Sequence, residues 1–227
     1  MDPFKILEIK KSVYDDNDRQ AAQLRQELKR DGLFLLNLMS SPGSGKTTTL
    51  LRTIEALKDE FGIGVLEADI DSDVDARAVS LAGARAIQLH TGGMCHLDAG
   101  MTRQGLLGLG TEGLDLVVLE NVGNLICTAD FDTGSSRSAM ILSVPEGDDK
   151  PLKYPRMFEV VDIVLVNKID ALPLFDFDIA RFEGRVRRLN SRASVVPISA
   201  KTGEGIDSWL DWLRGEVGSW KGSARPR

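Results

Sequence analysis

An α/β fold, with a mostly parallel sheet covered by helices on both faces, is predicted by two observations. Short apolar runs alternate with helix-like stretches along the chain, and three polar loops rich in ligand chemistry each directly follow one of those runs. In open sheets of this kind, ligands collect at the carboxyl ends of the strands, so the three loops are expected to share one site.

The elements follow in order. Asp15-Asp16-Asn17-Asp18 opens an amphipathic segment in which Ala22, Leu24, Leu28 and Leu33 recur at helical spacing, predicting a packing helix in an N-terminal extension, residues 1–31. Leu33-Phe34-Leu35-Leu36-Asn37-Leu38-Met39 reads as the first strand, followed by a helix from about Lys46 to Glu60. Ile63 to Ala68 gives a strand, Val74 to Leu81 a short helix that Gly83 ends, and Ala86 to Leu89 another strand. After a loop through Cys95 come a helix from about Leu97 to Leu109 and the apolar strand Leu114 to Leu119. Strands are expected at Ala139–Val144, Val160–Val166 and Ser194–Ile198, with a final helix around Ile206–Leu210. Arg185-Val186-Arg187-Arg188 reads as a solvated helix face, and residues 218–227 as a frayed tail.

At 227 residues, 42% apolar, the chain exceeds the ~100–200 residues usual for one domain, yet open α/β sheets reach this size, and one domain over 1–227 is expected. Its 34 acidic against 28 basic residues give no basic surface for nucleic acid. No apolar run is long enough to span a bilayer, and Met1-Asp2-Pro3-Phe4 lacks a signal-peptide layout, so no membrane partner and a cytoplasmic location are expected. Two cysteines do not make a disulfide framework in a reducing compartment.

Ser40-Ser41-Pro42-Gly43-Ser44-Gly45-Lys46-Thr47 lies between the first strand and its helix. Gly43, Ser44 and Gly45 let backbone N–H groups close around phosphate oxygens, Lys46 supplies a point charge, and the hydroxyl of Thr47 can ligand Mg²⁺, with Thr48 beside it. The helix adds its positive end. Ser40 stands where the usual pattern has Gly, so the match is in the Gly-Lys-Thr half; the strand-loop-helix context predicts a P-loop NTPase fold.

Asn167-Lys168-Ile169-Asp170 follows the Val160–Val166 run and reads guanine. The Asp170 carboxylate can accept from both the guanine N1–H and the exocyclic amino group, a donor pair that adenine lacks. Asn167 would brace neighbouring loops and the Lys168 stem would lie over the base. Ser199-Ala200-Lys201, after another strand, offers backbone N–H groups to the guanine carbonyl oxygen. The expected nucleotides are therefore GTP and GDP.

Glu120-Asn121-Val122-Gly123 follows the Leu114–Leu119 strand; a carboxylate at Glu120, in place of the more usual Asp, can hold Mg²⁺, and Gly123 lets the backbone approach the γ-phosphate. Of the carboxylates in Asp69-Ile70-Asp71-Ser72-Asp73-Val74-Asp75, Asp69 is expected in the Mg²⁺ shell and Asp75 as a mobile switch residue. Lys46, Asp75 and Glu120 are the candidate catalytic groups. No general base for the attacking water is readable.

Thr91-Gly92-Gly93-Met94-Cys95-His96 and Asn124-Leu125-Ile126-Cys127 hold both cysteines and one of the two histidines. Thiolate and imidazole suit Zn²⁺, Ni²⁺ or copper ions. Three such ligands, Cys95, His96 and Cys127, leave a tetrahedral ion one short, which a two-fold partner could supply. The other reading is two small buried hydrophobes. His90 has no such company and reads as structural.

Together these motifs resemble the HypB family, the nickel-incorporation GTPases of [NiFe] hydrogenase maturation. The resemblance spans nearly the whole chain, and its discriminating stretches are Cys95-His96-Leu97-Asp98-Ala99 and Glu120-Asn121-Val122-Gly123-Asn124-Leu125-Ile126-Cys127. It implies a metal-binding GTPase of the signal-recognition-particle-like class that hydrolyses GTP, forms a GTP-dependent homodimer with Cys95, His96 and Cys127 at its interface, and passes nickel toward the hydrogenase large subunit with a nickel metallochaperone. The chain begins without the Cys-rich or His-rich tract of some members, so high-capacity nickel storage is not expected, and Phe131 to Arg137 departs from the acidic and basic residues of the family. A related urease accessory GTPase is the near alternative, set back by the lack of a Cys-Pro-His motif; a regulatory GTPase without metal cargo and an ATP-using phosphoryl-transfer or ligase enzyme are the others.

Overall fold

The computed structural model describes residues 9–69 and 74–222, with side chains described for 14–68 and 78–222. Strands β1 (Phe34–Ser40), β2 (Ile63–Asp69), β3 (Arg85–His90), β4 (Leu116–Glu120), β5 (Arg137–Ser143), β6 (Ile163–Asn167) and β7 (Ser194–Pro197) form one seven-stranded sheet in the order β3-β2-β4-β1-β5-β6-β7. Every pairing is parallel. All residues of β1, β4 and β6 are buried, as a parallel sheet covered on both faces requires of its central strands.

Helices α1 (Ile9–Asp31), α2 (Lys46–Leu57), α3 (Val74–Ala82) and α4 (Ala99–Leu109) belong to the first half, and α5 (Cys127–Asp130), α6 (Lys150–Lys153), α7 (Pro155–Val160), α8 (Ile179–Leu189) and α9 (Ile206–Gly222) to the second. One core packs Leu36 and Leu38 of β1 with Leu50, Ile54 and Leu57 of α2 and Trp209, Leu213 and Val217 of α9. Trp209, 2% exposed, donates from Nε1 to Thr53 Oγ1 at 2.9 Å, and Thr53 donates to the Thr49 carbonyl at 2.8 Å, so the one polar atom of a large buried ring is satisfied. On the other face, Leu24 and Leu28 of α1 pack with Leu106 and Leu109 of α4, and Met157 and Phe158 of α7 with Phe182 and Val186 of α8.

Several boundaries depart from expectation. Residues 218–222 are not a frayed tail: they continue α9, because Trp220 stands edge-on to Phe34 with centroids 6.1 Å apart, donates from Nε1 to the Leu33 carbonyl at 2.9 Å, and lies under the Lys29 ammonium. Val160 and Val161 are not strand; Val160 ends α7, which Pro155 starts. Helix α4 begins at Ala99, because the Asp98 carboxylate caps it by accepting from Met101 N at 2.7 Å. Leu114 and Asp115 precede β4, held in a turn where the Asp115 carboxylate accepts from Gly62 N at 2.8 Å. Arg185 is not a solvated face residue: it is 19% exposed and binds both the carbonyl and the carboxylate of Asp148 at 2.7 Å.

Candidate functional site

The phosphate loop connects β1 to α2 at the strand where the sheet order turns from one half to the other, the place where open α/β sheets bind ligands. Gly43 has φ 73° and Gly45 φ 96°, left-handed values that L side chains resist. Gly45 also lies against the Asn167 side chain, so a Cβ there would collide with its amide. A cleft of about 570 Å³ is bounded by Gly43, Gly45, Lys46, Thr47 and Thr48 on one side and by Glu67, Glu120 and Gly123 on the other. A larger hollow of about 760 Å³, between Tyr14 and Arg25 of α1, the 131–138 segment and Asp162, contains none of the predicted nucleotide residues.

Within the cleft, Lys46 Nζ is 3.6 Å from Glu120 Oε1, and Thr47 Oγ1 donates to the same oxygen at 3.3 Å. Glu120 is 4% exposed and Glu67, paired with it in register across β2 and β4, is 2% exposed. Hard oxygen donors beside a backbone phosphate cradle fit Mg²⁺. Glu67 was not singled out from the sequence, although its place two residues before the end of a strand beside β4 is the signal that could have found it. Asp69 ends β2 in register with His90, and Asp75 lies in α3; the side chains of both fall outside the described residues.

The guanine loop is assembled around Asn167, 2% exposed. Its amide donates to the Ser44 carbonyl at 2.8 Å, and its oxygen accepts from Lys168 N at 2.7 Å and Ala200 N at 3.0 Å. Lys168 adopts φ 62°, the one non-glycine residue with positive φ among the described residues, and its Nζ donates to the Gly43 carbonyl at 2.6 Å. Asp170 is exposed, and Ser199 Oγ donates to its Oδ1 at 2.7 Å. In the third loop, Ser199 N–H goes to the Glu204 carbonyl, Ala200 N–H to Asn167 and Thr202 N–H to Ser199 Oγ. Of the Ser199-Ala200-Lys201 N–H groups expected to reach a guanine oxygen, those of Ser199 and Ala200 are already engaged by protein acceptors, which leaves that of Lys201.

The Cys/His loops meet on the same side of the sheet. Cys127 begins α5, where the Asn124 carboxamide accepts from Ile126 N at 2.7 Å and Cys127 N at 3.0 Å. The Cys95 thiol beside it, and burial, push the Cys127 thiol above the ordinary thiol range. Cys95 Sγ lies 3.8 Å from His96 Nδ1. The His96 ring stacks on Phe131 with centroids 3.8 Å apart, and desolvation there lowers its pKa against the opposing pull of Asp98 and Asp130. Tyr14 also packs against Phe131, with centroids 4.9 Å apart, and Asn17, 7% exposed, accepts from Ala99 N and donates to the Asp132 carbonyl, both at 3.0 Å. Thus α1 braces both loops. Among the described residues, no three His, Cys, Asp or Glu side chains converge tightly enough to hold a metal ion in a single protomer. The two thiols lie together, and the imidazole meets Cys95 through Nδ1 while its face stacks on Phe131. Phe131 and Asn17 were missed in the sequence because their partners are remote along the chain.

Residues 34–197 match the family described as CobW/HypB/UreG, nucleotide-binding domain. The hydrogenase maturation factor HypB of Rhizobium leguminosarum bv. viciae is 44% identical over 213 residues, spanning 94% of this chain and 71% of that protein. The crystal structure of HypB from Helicobacter pylori, a complex with nickel, superposes with a TM-score of 0.84 at 35% identity, covering 93% of this chain and 99% of that one. The signal recognition particle 54 kDa protein of Aeropyrum pernix K1 shares the fold, with a TM-score of 0.56 at 14% identity over 96% of this chain and 56% of that one. With its phosphate cradle and guanine loop joined at Asn167, the chain belongs to the HypB family of hydrogenase maturation factors, within the CobW/HypB/UreG nucleotide-binding domains.

Proposed function

We propose that this chain binds and hydrolyses GTP and uses the nucleotide state to control a Cys/His site that takes up nickel and delivers it toward the large subunit of a [NiFe] hydrogenase. The observation that carries this reading is the packing of Gly123 on Pro42: a Cβ on Gly123 would lie 3.3 Å from the Pro42 ring, and Gly123 and Cys127 belong to one short segment. Movement of the phosphate loop on γ-phosphate binding or loss is thereby passed to the backbone that carries Cys127.

In this reading Lys46 and the Gly43–Gly45 amides hold the phosphates, and Asp170, Lys168 and Lys201 N–H hold the base. Thr47 and Glu120, with Asp69, would hold Mg²⁺, which when bound neutralises charge on the β- and γ-phosphate oxygens. Asp75 is the switch residue of the segment after β2. Cys95, His96 and Cys127 take the nickel cargo, or Zn²⁺, which the same ligands accept. A two-fold partner completes the coordination, so the homodimer forms with GTP and the metal lies between protomers. The relatives' role in hydrogenase maturation supports a nickel metallochaperone and the large subunit as partners. In this reading residues 1–227 act as one GTPase domain, and the work is done in the cytoplasm. No helix among the described residues is long and apolar enough to cross a membrane.

The test is turnover of GTP and ATP by wild type and Lys46→Ala, together with nickel transfer from loaded protein to a hydrogenase large-subunit precursor. GTP-selective turnover lost in Lys46→Ala, and transfer lost in Cys95→Ala while turnover persists, is the expected result. ATP turnover equal to GTP turnover, or undiminished transfer by Cys95→Ala, would overturn it.

A further inference from the structure

On α2, six residues or about 1.7 turns beyond Lys46, Arg52 reaches across to the third loop. Its Nε donates to the Ala200 carbonyl at 3.0 Å and its terminal nitrogen to the Lys201 carbonyl at 3.0 Å. Among the described residues no carboxylate pairs with it, so the planar fork is committed to two consecutive backbone carbonyls. In a trans peptide the carbonyl and the following N–H point in opposite directions, and the described chain has no cis bond. With both carbonyls turned to Arg52, the N–H groups of Lys201 and Thr202 face away from it. The second of these donates to Ser199 Oγ at 3.1 Å, and that hydroxyl donates to Asp170 Oδ1 at 2.7 Å. The first, the Lys201 N–H, has no protein acceptor among the described residues.

We infer that Arg52 is a positioning residue for guanine selectivity, fixing from the phosphate-binding helix both the Lys201 amide and, through Thr202 and Ser199, the Asp170 carboxylate. The inference rests on the guanine-nucleotide reading above. Its consequence is that one helix sets both halves of the ligand site: the end that starts at Lys46 takes the phosphates, and the turn bearing Arg52 holds the base-reading loop in register. Arg52 does not line the phosphate cleft. Removing it should relax base discrimination while leaving phosphate binding intact, which distinguishes a positioning role from a general contribution to stability.

The experiment is calorimetric titration of GDP, IDP and ADP into wild type, Arg52→Ala and Arg52→Lys, with thermal melts of all three. Arg52 is exposed, so folding should be retained. In Arg52→Ala, GDP affinity should fall about tenfold, the scale of losing charge-assisted bonds, with ADP affinity unchanged, so that the GDP-to-ADP and GDP-to-IDP ratios both narrow. Arg52→Lys, whose ammonium cannot span two carbonyls as the fork does, should fall between. If wild type prefers GDP and Arg52→Ala keeps both ratios, through no loss or an equal loss for every nucleotide, the positioning role is overturned and the guanine reading survives. If wild type shows no preference for GDP, both fail.

Discussion

Asn167 donates its side-chain amide to the Ser44 carbonyl at 2.8 Å while lying within contact distance of Gly45, so the base-reading and phosphate-binding loops are joined at a single buried carboxamide. Neither loop can shift alone without breaking that bond. The bond fixes the two halves of the nucleotide site in one register, which limits the ordering cost of binding.

Substitution of Gly45 by Ala meets two obstacles at once, a left-handed φ of 96° and the Asn167 amide in the space that the new Cβ would occupy. The variant should lose about 1–3 kcal/mol of folding stability in urea titrations and most of its GDP affinity by calorimetry. Wild-type affinity in Gly45→Ala would mean that the loop adopts another shape when nucleotide binds.

Asp170→Asn exchanges an acceptor-only carboxylate for a carboxamide. Guanine presents two donors at that edge, whereas xanthine presents a carbonyl in place of the amino group. The variant should therefore bind XDP more tightly than GDP, reversing the wild-type order, because an unpaired donor facing a donor is the costly mismatch. Retention of GDP preference in competition titrations would remove Asp170 from the base-reading role.

Asp162 offers a pH prediction remote from the nucleotide. Burial raises its carboxyl above the ordinary carboxylate range, opposed by the Ser138 N–H at 2.8 Å and the Arg137 guanidinium at 3.7 Å. A raised folded-state pKa means that the group favours folding when protonated and loses that contribution as pH rises through the folded value. Asp162→Asn should therefore gain in stability relative to wild type at neutral pH, and the gain should shrink as pH falls into the acid range. Denaturant midpoints of both proteins across pH 4–8 test this; a difference that is constant with pH would show that desolvation of Asp162 does not govern it.

What could be read from the sequence followed from local rules. The long apolar runs before Ser40, Glu120 and Asn167 set three central strands, and the loops after them were placed by their chemistry. What escaped depends on partners distant in sequence. Trp220 looked like a tail residue because Phe34 and Leu33, which receive it, are remote along the chain. Val160-Val161 looked like strand because apolar pairs carry no period, although Pro155 at the first helical position was a readable start for α7. The stacking of His96 on Phe131 has no local signature. Equally, the engagement of Ala200 N–H by Asn167 is a competition between loops that spacing does not reveal.

The central claim is that nucleotide state controls metal held by Cys95, His96 and Cys127. Equilibrium binding of Ni²⁺ and Zn²⁺ to wild type and Cys95→Ala, each with GDP and with a non-hydrolysable GTP analogue, tests it most directly. The account predicts that affinity or stoichiometry changes between the two nucleotide states in wild type and that Cys95→Ala abolishes binding in both. Metal affinity weaker than micromolar in every state of the wild type, or binding indifferent to both nucleotide and Cys95, would contradict it.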